Sequence, residues 1–432
     1  MQRYTVFLFV LFGLQLSSAQ QLLTLEEAIK IALENNFDIQ LAKNNLKIDE
    51  TNNYIGNAGM LPNVSANITD TNSRTNTTQV QGGTERTLNG AKNLNLNYGV
   101  SLDWTVFDGL KMFARKEQLN KLEQQGQAEL KSAILSKISA VYLAYYDLVQ
   151  QQQQIKALDT TIVISKERLQ TAQNRYSIGK AAKLEVLNAQ VDLNTDESLL
   201  IQQKEQFKAS QIQLNTLLAR DVALEFSVLN ALEVDDRLVL DDLKNLAKSQ
   251  NPQLQAQVLN KNIAELQLKQ VKAGRYPTVK VNTGYTVGRT EASLGFITQS
   301  QSRGLTYGFS ASVPIFQGNQ ISRNEKIAKL QVTNAEITIK QQELLLESQL
   351  QSAYASYLSN KKLVEMEAKN VSIAEQNLDI TLAKFKIGTI TPVEFRTAQQ
   401  GFIEAKVRYS NALYQTKIYE ISLKELAGSL TF

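Results

Sequence analysis

The sequence predicts a mainly α-helical chain with a small β part, built as two copies of one half. Three observations predict it. First, motifs recur at equal spacing. Val106-Phe107-Asp108-Gly109 precedes Arg175-Tyr176-Ser177-Ile178-Gly179, and Ile315-Phe316-Gln317-Gly318 precedes Lys384-Phe385-Lys386-Ile387-Gly388. Phe107 to Tyr176 and Phe316 to Phe385 are both 69 positions, and Asn36 to Pro62 and Asn251 to Pro277 are both 26. Such units are too long for solenoid repeats and point to duplication of an architectural half. Second, four segments alternate apolar and polar residues, the signal of a strand buried on one face. Third, apolar residues recur at sevenfold spacing over long stretches, which means coiled-coil packing.

In chain order, residues 1–19 read as a signal peptide: Arg3, an apolar run from Val6 to Leu16, and the small residues Ser17-Ser18-Ala19. The first half occupies 20–220. Thr24-Leu25-Glu26-Glu27 is a capping box that opens a helix expected to run to about Asn57. Val64, Ala66 and Ile68 alternate with Asn63, Ser65, Asn67 and Thr69. Leu94 to Val106 alternates in the same way with Asn93 to Thr105. A polar loop, roughly Asp70 to Lys92, is expected between these strands. After Gly109 a helix should reach Tyr176, turn at Gly179 and return to about Ala219, with Val186, Leu193, Leu200, Phe207 and Leu214 seven apart.

Residues 221–240, with Asp235-Asp236, break the heptads and read as a linker. The second half, 241–432, repeats the plan. Asn251-Pro252 interrupts its first helix. Its strands centre on Val279 to Val287 and Leu305 to Ile315, with a loop near Arg289 to Gly304. Its returning arm carries Phe395, Phe402, Tyr409, Thr416 and Leu423. The terminal Phe432 follows no alternating strand.

Composition narrows function. The chain has no Cys and no His, which removes thiol chemistry, imidazole bases and the commonest zinc ligands. With 46 basic and 42 acidic residues, the charge is too balanced to indicate nucleic acid. No phosphate loop, metal-ligand cluster or nucleophile–base pair is present, so neither a cofactor nor an enzymatic activity is expected. Beyond the leader no run approaches the ~18 apolar residues of a membrane helix. The strands' polar face of Asn, Ser, Thr and Gly suits a wet lumen, and the apolar face suits lipid. Four strands cannot close a barrel, and a bilayer does not tolerate open edges, so several chains must pool their strands.

The order of motifs resembles the TolC-like outer-membrane efflux proteins over essentially the whole mature chain. It comprises helix, Ala-Gly-x-x-Pro-x-Val (Ala58 to Val64, Ala273 to Val279), strand pair and Phe-x-Gly. Ala-Tyr (Ala144-Tyr145, Ala353-Tyr354) and an aromatic-x-x-Gly turn follow. The resemblance implies a homotrimer whose twelve strands form one outer-membrane barrel, with the helices projecting into the periplasm of a Gram-negative bacterium. It implies a passive exit duct for efflux or type I secretion, opened by a periplasmic adaptor and an inner-membrane pump. It assigns the docking tip to the turns, with Arg175, Tyr176, Gly179, Lys180, Lys384, Phe385 and Gly388. The pore constriction falls to Glu185 and Glu394, with Phe385 and Thr397 at the family's tyrosine and second acidic positions. Ile390 replaces the family's arginine. The alternatives are an exported helical adaptor without a channel and a carboxylate enzyme such as a glycosidase. Four Asn-lined strands disfavour the first, and acids scattered along heptads disfavour the second.

Overall fold

The computed structural model describes residues 21–229 and 231–430. Residues 1–19, where a signal peptide is expected, and Phe432 lie outside the described residues. The elements follow in order as β1 (Gln21–Leu23), α1 (Leu25–Asn35), α2 (Phe37–Asn52), β2 (Asn63–Gln81), β3 (Thr84–Phe107), α3 (Lys111–Ser177) and α4 (Lys183–Leu217). Then come β4 (Phe226–Val228), α5 (Leu240–Gln250), α6 (Pro252–Ala273), β5 (Thr278–Ala292), β6 (Gln299–Ser312), α7 (Gln320–Ile387) and α8 (Pro392–Leu426). Two compact units draw on both halves. One takes the described parts of Met1–Gln40, Ala133–Asn251 and Leu346–Phe432, and the other takes Leu41–Ser132 and Pro252–Leu345.

The first unit is helical, with a two-stranded parallel sheet of β1 and β4. Its core gathers Leu23, Ala28, Ile138, Val141, Tyr145, Leu148, Leu214, Phe226 and Ile421, all buried. The capping box forms as expected: Glu27 N donates to Thr24 Oγ1 at 3.2 Å and Thr24 N to Glu27 Oε2 at 3.1 Å. The helix it opens does not continue to Asn57. It ends at Asn36, whose side-chain oxygen accepts from Asp38 N and Ile39 N and so starts α2 afresh, and α2 stops at Asn52. An asparagine that caps one helix and begins the next is indistinguishable in sequence from a solvated helical residue.

The recurrent asparagines make equivalent hydrogen bonds. Asn36 Nδ2 donates to Leu217 O at 2.8 Å, and Asn251 Nδ2 donates to Leu426 O at 2.9 Å. Each buried amide satisfies a carbonyl that the end of α4 or α8 leaves without a helical partner. The two Ala-Tyr motifs correspond likewise. Tyr145 Oη donates to Leu23 O at 3.0 Å and Tyr354 Oη to Leu238 O at 3.2 Å, each two residues before a half's first helix. The 221–240 segment is more than a connection, because β4 lies within it. Tyr357 Oη also donates to Asp235 O, and Lys424 pairs with Asp235 at 3.1 Å. Charge and backbone donation hold Asp235 ionised below the usual carboxylate range. The Arg237 amide contributes most, followed by Lys424.

The second unit carries an antiparallel sheet in the order β2-β3-β5-β6. The sequence placed loops at Asp70–Lys92 and Arg289–Gly304. Instead β2 and β3 extend through most of the first to a turn at Gly82-Gly83, and only 293–298 connect β5 to β6. Thr and Asn form ladders as readily as loops when a partner strand is present, as Thr78 Oγ1 and Thr87 Oγ1 illustrate at 3.0 Å. β6 ends at Ser312, so Val313 and Ile315 lie beyond it.

Paired residues share a face of a sheet. One face reads Ala66–Val100–Tyr285–Leu305, then Val64–Leu102–Thr283–Tyr307, then Trp104–Val281–Phe309. The other reads Ser65–Ser101–Gly284–Thr306 and Asn67–Gly99–Thr286–Gly304. Polar side chains bond across it: Asn282 Nδ2 donates to Asp103 Oδ1 at 2.6 Å and Thr290 Oγ1 to Asn95 Oδ1 at 2.7 Å. Nothing among the described residues covers the apolar face, where Leu305, Tyr307 and Phe309 are 63%, 82% and 79% exposed.

Candidate functional site

The two long hairpins, α3–α4 and α7–α8, end in turns of the same construction. Lys180 N bonds Arg175 O at 2.8 Å and Gly179 N bonds Tyr176 O at 3.0 Å. Thr389 N bonds Lys384 O and Gly388 N bonds Phe385 O, both at 3.0 Å. This paired closure of a helix C-terminus requires a left-handed residue, and Gly179 (φ +76°) and Gly388 (φ +80°) supply it. The recurrent aromatic-x-x-Gly thus has a geometric cause.

Arg175 ties the two turns together. Its guanidinium lies 6.0 Å from the centre of the Phe385 ring and donates to Glu185 Oε1 at 3.3 Å. A Cβ on Gly388 would lie 3.9 Å from Arg175 Nη2. Phe385 is buried and stacks on Phe395, with ring centres 5.1 Å apart, in a cluster with Leu378 and Phe402. Ile390 packs against that cluster. Tyr176, Lys180 and Lys384 are exposed.

The two glutamates at the mouth are used differently. Glu394 N donates to Thr391 Oγ1 at 3.3 Å while the Glu394 carboxylate accepts from Thr391 N at 2.8 Å, completing a capping box with Pro392 at the first helical position. Ala182, at the equivalent position before α4, has no side chain to cap with, which leaves Glu185 free to pair with Arg175. Glu185 is half-buried and Glu394 exposed. Thr397 is exposed and its hydroxyl donates to Val393 O.

Above the turns, a buried polar network joins α3, α4 and α8. Arg396 forks onto Asp196 with two bonds of 2.9 Å, and Asp196 accepts from Ser165 Oγ at 2.6 Å. Arg168 pairs with Asp192 at 2.5 Å and lies 5.9 Å from the centre of the Phe395 ring. Gln399 donates to Ser165 Oγ at 2.8 Å. Burial opposes the Arg396 charge, but the paired Asp196 and nearby Asp192 outweigh it and hold its pKa above the usual value. Sequence reasoning missed these residues. A signal existed: Asp196 and Gln399 occupy seam positions of the heptads that Leu193 and Phe395 define, where a polar residue is unusual. No group of acidic residues able to hold a metal occurs among the described residues.

The chain matches the family described as outer membrane efflux protein over residues 28–220 and 243–429. It is 22% identical over 309 residues to outer membrane protein TolC of Escherichia coli K12, covering 69% of this chain and 60% of that protein. It is 19% identical to the proteases secretion protein PrtF of Dickeya chrysanthemi, covering 100% and 93%. Among solved structures, the Campylobacter jejuni CmeC outer membrane channel superposes with a TM-score of 0.78 at 16% identity, covering 94% of this chain and 85% of that one. The outer membrane protein VceC of Vibrio cholerae superposes with a TM-score of 0.76 at 16% identity, covering 94% and 96%.

Proposed function

The chain belongs to the outer membrane efflux protein family and is an outer-membrane protein of the TolC-like kind, and from that premise we propose that three copies form a channel. In this reading the chain is the passive exit duct of a tripartite efflux or type I secretion system. The observation that carries it is the β2-β3-β5-β6 sheet, polar on one face, apolar and uncovered on the other, with β2 and β6 as open edges. No helix among the described residues is long and apolar enough to cross a membrane. A sheet in lipid must close to satisfy its edges, and three copies of four strands give a twelve-stranded barrel. A second feature supports several copies. Met366, Ile373, Ile380 and Ile387 form a seven-spaced apolar stripe on α7 and are 57–75% exposed, as a seam awaiting another helix would be.

The helices then lie in the periplasm and the hairpin ends at Gly82 and 293–298 face outside. The turns around Gly179 and Gly388 dock a periplasmic adaptor that couples the duct to an inner-membrane pump. The constriction lies at Glu185, Glu394, Phe385 and Thr397. There a buried Phe385 closes by packing where a hydroxyl lock is missing. Arg175 neutralises much of Glu185, so the exposed Glu394 carries most of a ring of carboxylates, which favours cations. In planar bilayers the wild type should form small cation-selective conductances. Glu394→Gln should abolish most of the preference and Glu185→Gln little of it. Gln can replace Glu in a capping box, so folding should survive. A wild-type protein that is monomeric and conducts nothing refutes the channel.

A further inference from the structure

The apolar face of the sheet ends differently at its two extremities. Towards the helices it finishes in Trp104, Val281 and Phe309, then Val279 and Ala311, with no charge. Towards the hairpin ends, Ile68–Tyr98–Val287–Arg303 brings the first charge, and Asp70–Leu96–Arg289–Gln301 follows. Two rows further, Arg74 pairs across with Lys92. Arg74, Lys92, Arg289 and Arg303 are all exposed. Arg289 is taken by Glu291 at 2.5 Å, and Asp70 accepts from Asn72 at 3.2 Å. Arg74, Lys92 and Arg303 meet no acidic partner among the described residues. A charge facing hydrocarbon is costly, so this belt must sit where the hydrocarbon ends. From Val279 to Val287 the apolar face climbs about 20 Å at ordinary strand rise and tilt, approaching the ~25 Å of a barrel's apolar band.

We propose that this belt binds phosphate-bearing lipid headgroups of the outer leaflet. The acyl chains would lie on the apolar rows below, and the phosphates on Arg74, Lys92 and Arg303. The argument is complementarity. Cations that lack carboxylate partners, with Arg303 bordering an uncovered apolar surface and Arg74 and Lys92 three rows further out, match an anionic amphiphile in both charge and order. Guanidinium groups fork onto phosphate, and long basic side chains reach a headgroup from the edge of the hydrocarbon. The orientation rests on the channel reading.

The full chain in mild detergent, probed by native mass spectrometry with diphosphoryl lipid A and its dephosphorylated form, tests this. The wild type should prefer the phosphorylated form by about tenfold, as expected of charge-assisted bonds. Arg74→Gln, Lys92→Gln and Arg303→Gln together should bring the preference close to unity. The wild-type preference should also fall as salt rises from about 0.05 to 0.5 M. Equal binding of the two lipids, a salt-independent preference, or an unchanged preference in the triple variant overturns the proposal. Bilayer conductance of the same preparations separates the readings. A conducting wild type without lipid preference sinks only the belt, whereas a monomeric, non-conducting wild type sinks the channel reading and the belt with it.

Discussion

At the residue scale, four left-handed residues sit in like positions with different surroundings. Gly179, Gly388, Ala219 and Gly428 each close the C-terminus of a long helix with φ between +51° and +80°. A Cβ on Gly179 would meet nothing within 4 Å, whereas one on Gly428 would lie 2.7 Å from Gln250 O. Gly179→Ala should therefore cost about 1 kcal/mol of backbone strain, as Ala219 already bears. Gly428→Ala should cost clearly more, because a backbone carbonyl must also move. Thermal unfolding of the two variants checks the order, and equal losses would contradict it. Glu425 supplies a pH test. Burial is the largest influence and raises its pKa, although Ser139 donates to it and pulls the other way. The folded state then binds a proton more readily than the unfolded one, so this group lowers stability as pH rises from about 4.5 through its folded pKa. Glu425→Gln should be more stable than wild type at pH 7, and the difference should vanish below about pH 4. A pH-independent difference would show that packing dominates there.

At the element scale, the two returning helices begin unequally. Thr391 and Glu394 cap α8, while α4 begins at an uncapped Ala182 with the extended backbone a cap needs (φ −74°, ψ 150°). Thr391→Ala should cost about 1 kcal/mol, and Ala182→Ser should gain about 0.5–1 kcal/mol. Hydrogen exchange of the first-turn amides reports each change locally, and unchanged protection at 184–186 in Ala182→Ser would refute the second. The Arg396–Asp196 fork makes a harsher prediction. Asp196→Ala leaves the half-buried Arg396 guanidinium with only Gln399 at 3.1 Å and Asp192 at 3.6 Å and should cost about 3 kcal/mol, whereas replacing both partners by apolar residues of similar volume should recover much of it. A double variant as unstable as the single one would mean that packing, not charge, is lost at this site.

At the scale of the whole molecule, an uncovered apolar sheet face and an exposed α7 stripe do not suit a lone chain in water. The purified full-length chain should therefore run as a trimer in mild detergent and resist dissociation without heating. A stable monomer by light scattering would remove the premise on which barrel, constriction and lipid belt all rest.

Much of this was legible in the sequence. Periodicity is a local property, so the alternating segments, the heptads and the Thr24 capping box each declare themselves within a few residues. The duplication is legible because equal spacings survive where loops do not. The turn glycines are legible because only a left-handed residue closes a helix that way cheaply. Other features required distant partners. Whether Asn36 continues a helix or ends it depends on Leu217, 181 residues away. Whether Thr and Asn beyond Ile68 form a loop or a ladder depends on the strand that returns beside them. Glu185 and Glu394 occupy equivalent positions in sequence, but one meets Arg175 and the other meets its own helix cap. The buried fork of Arg396 on Asp196 joins residues 200 positions apart. Sequence alone thus determined the long helices, the cores of the four sheet strands and the equally spaced motifs, because these follow from the intrinsic preferences of short segments. Tertiary structure decided which charges are paired, which helices are interrupted and which faces remain uncovered, because each depends on what packing places opposite a residue.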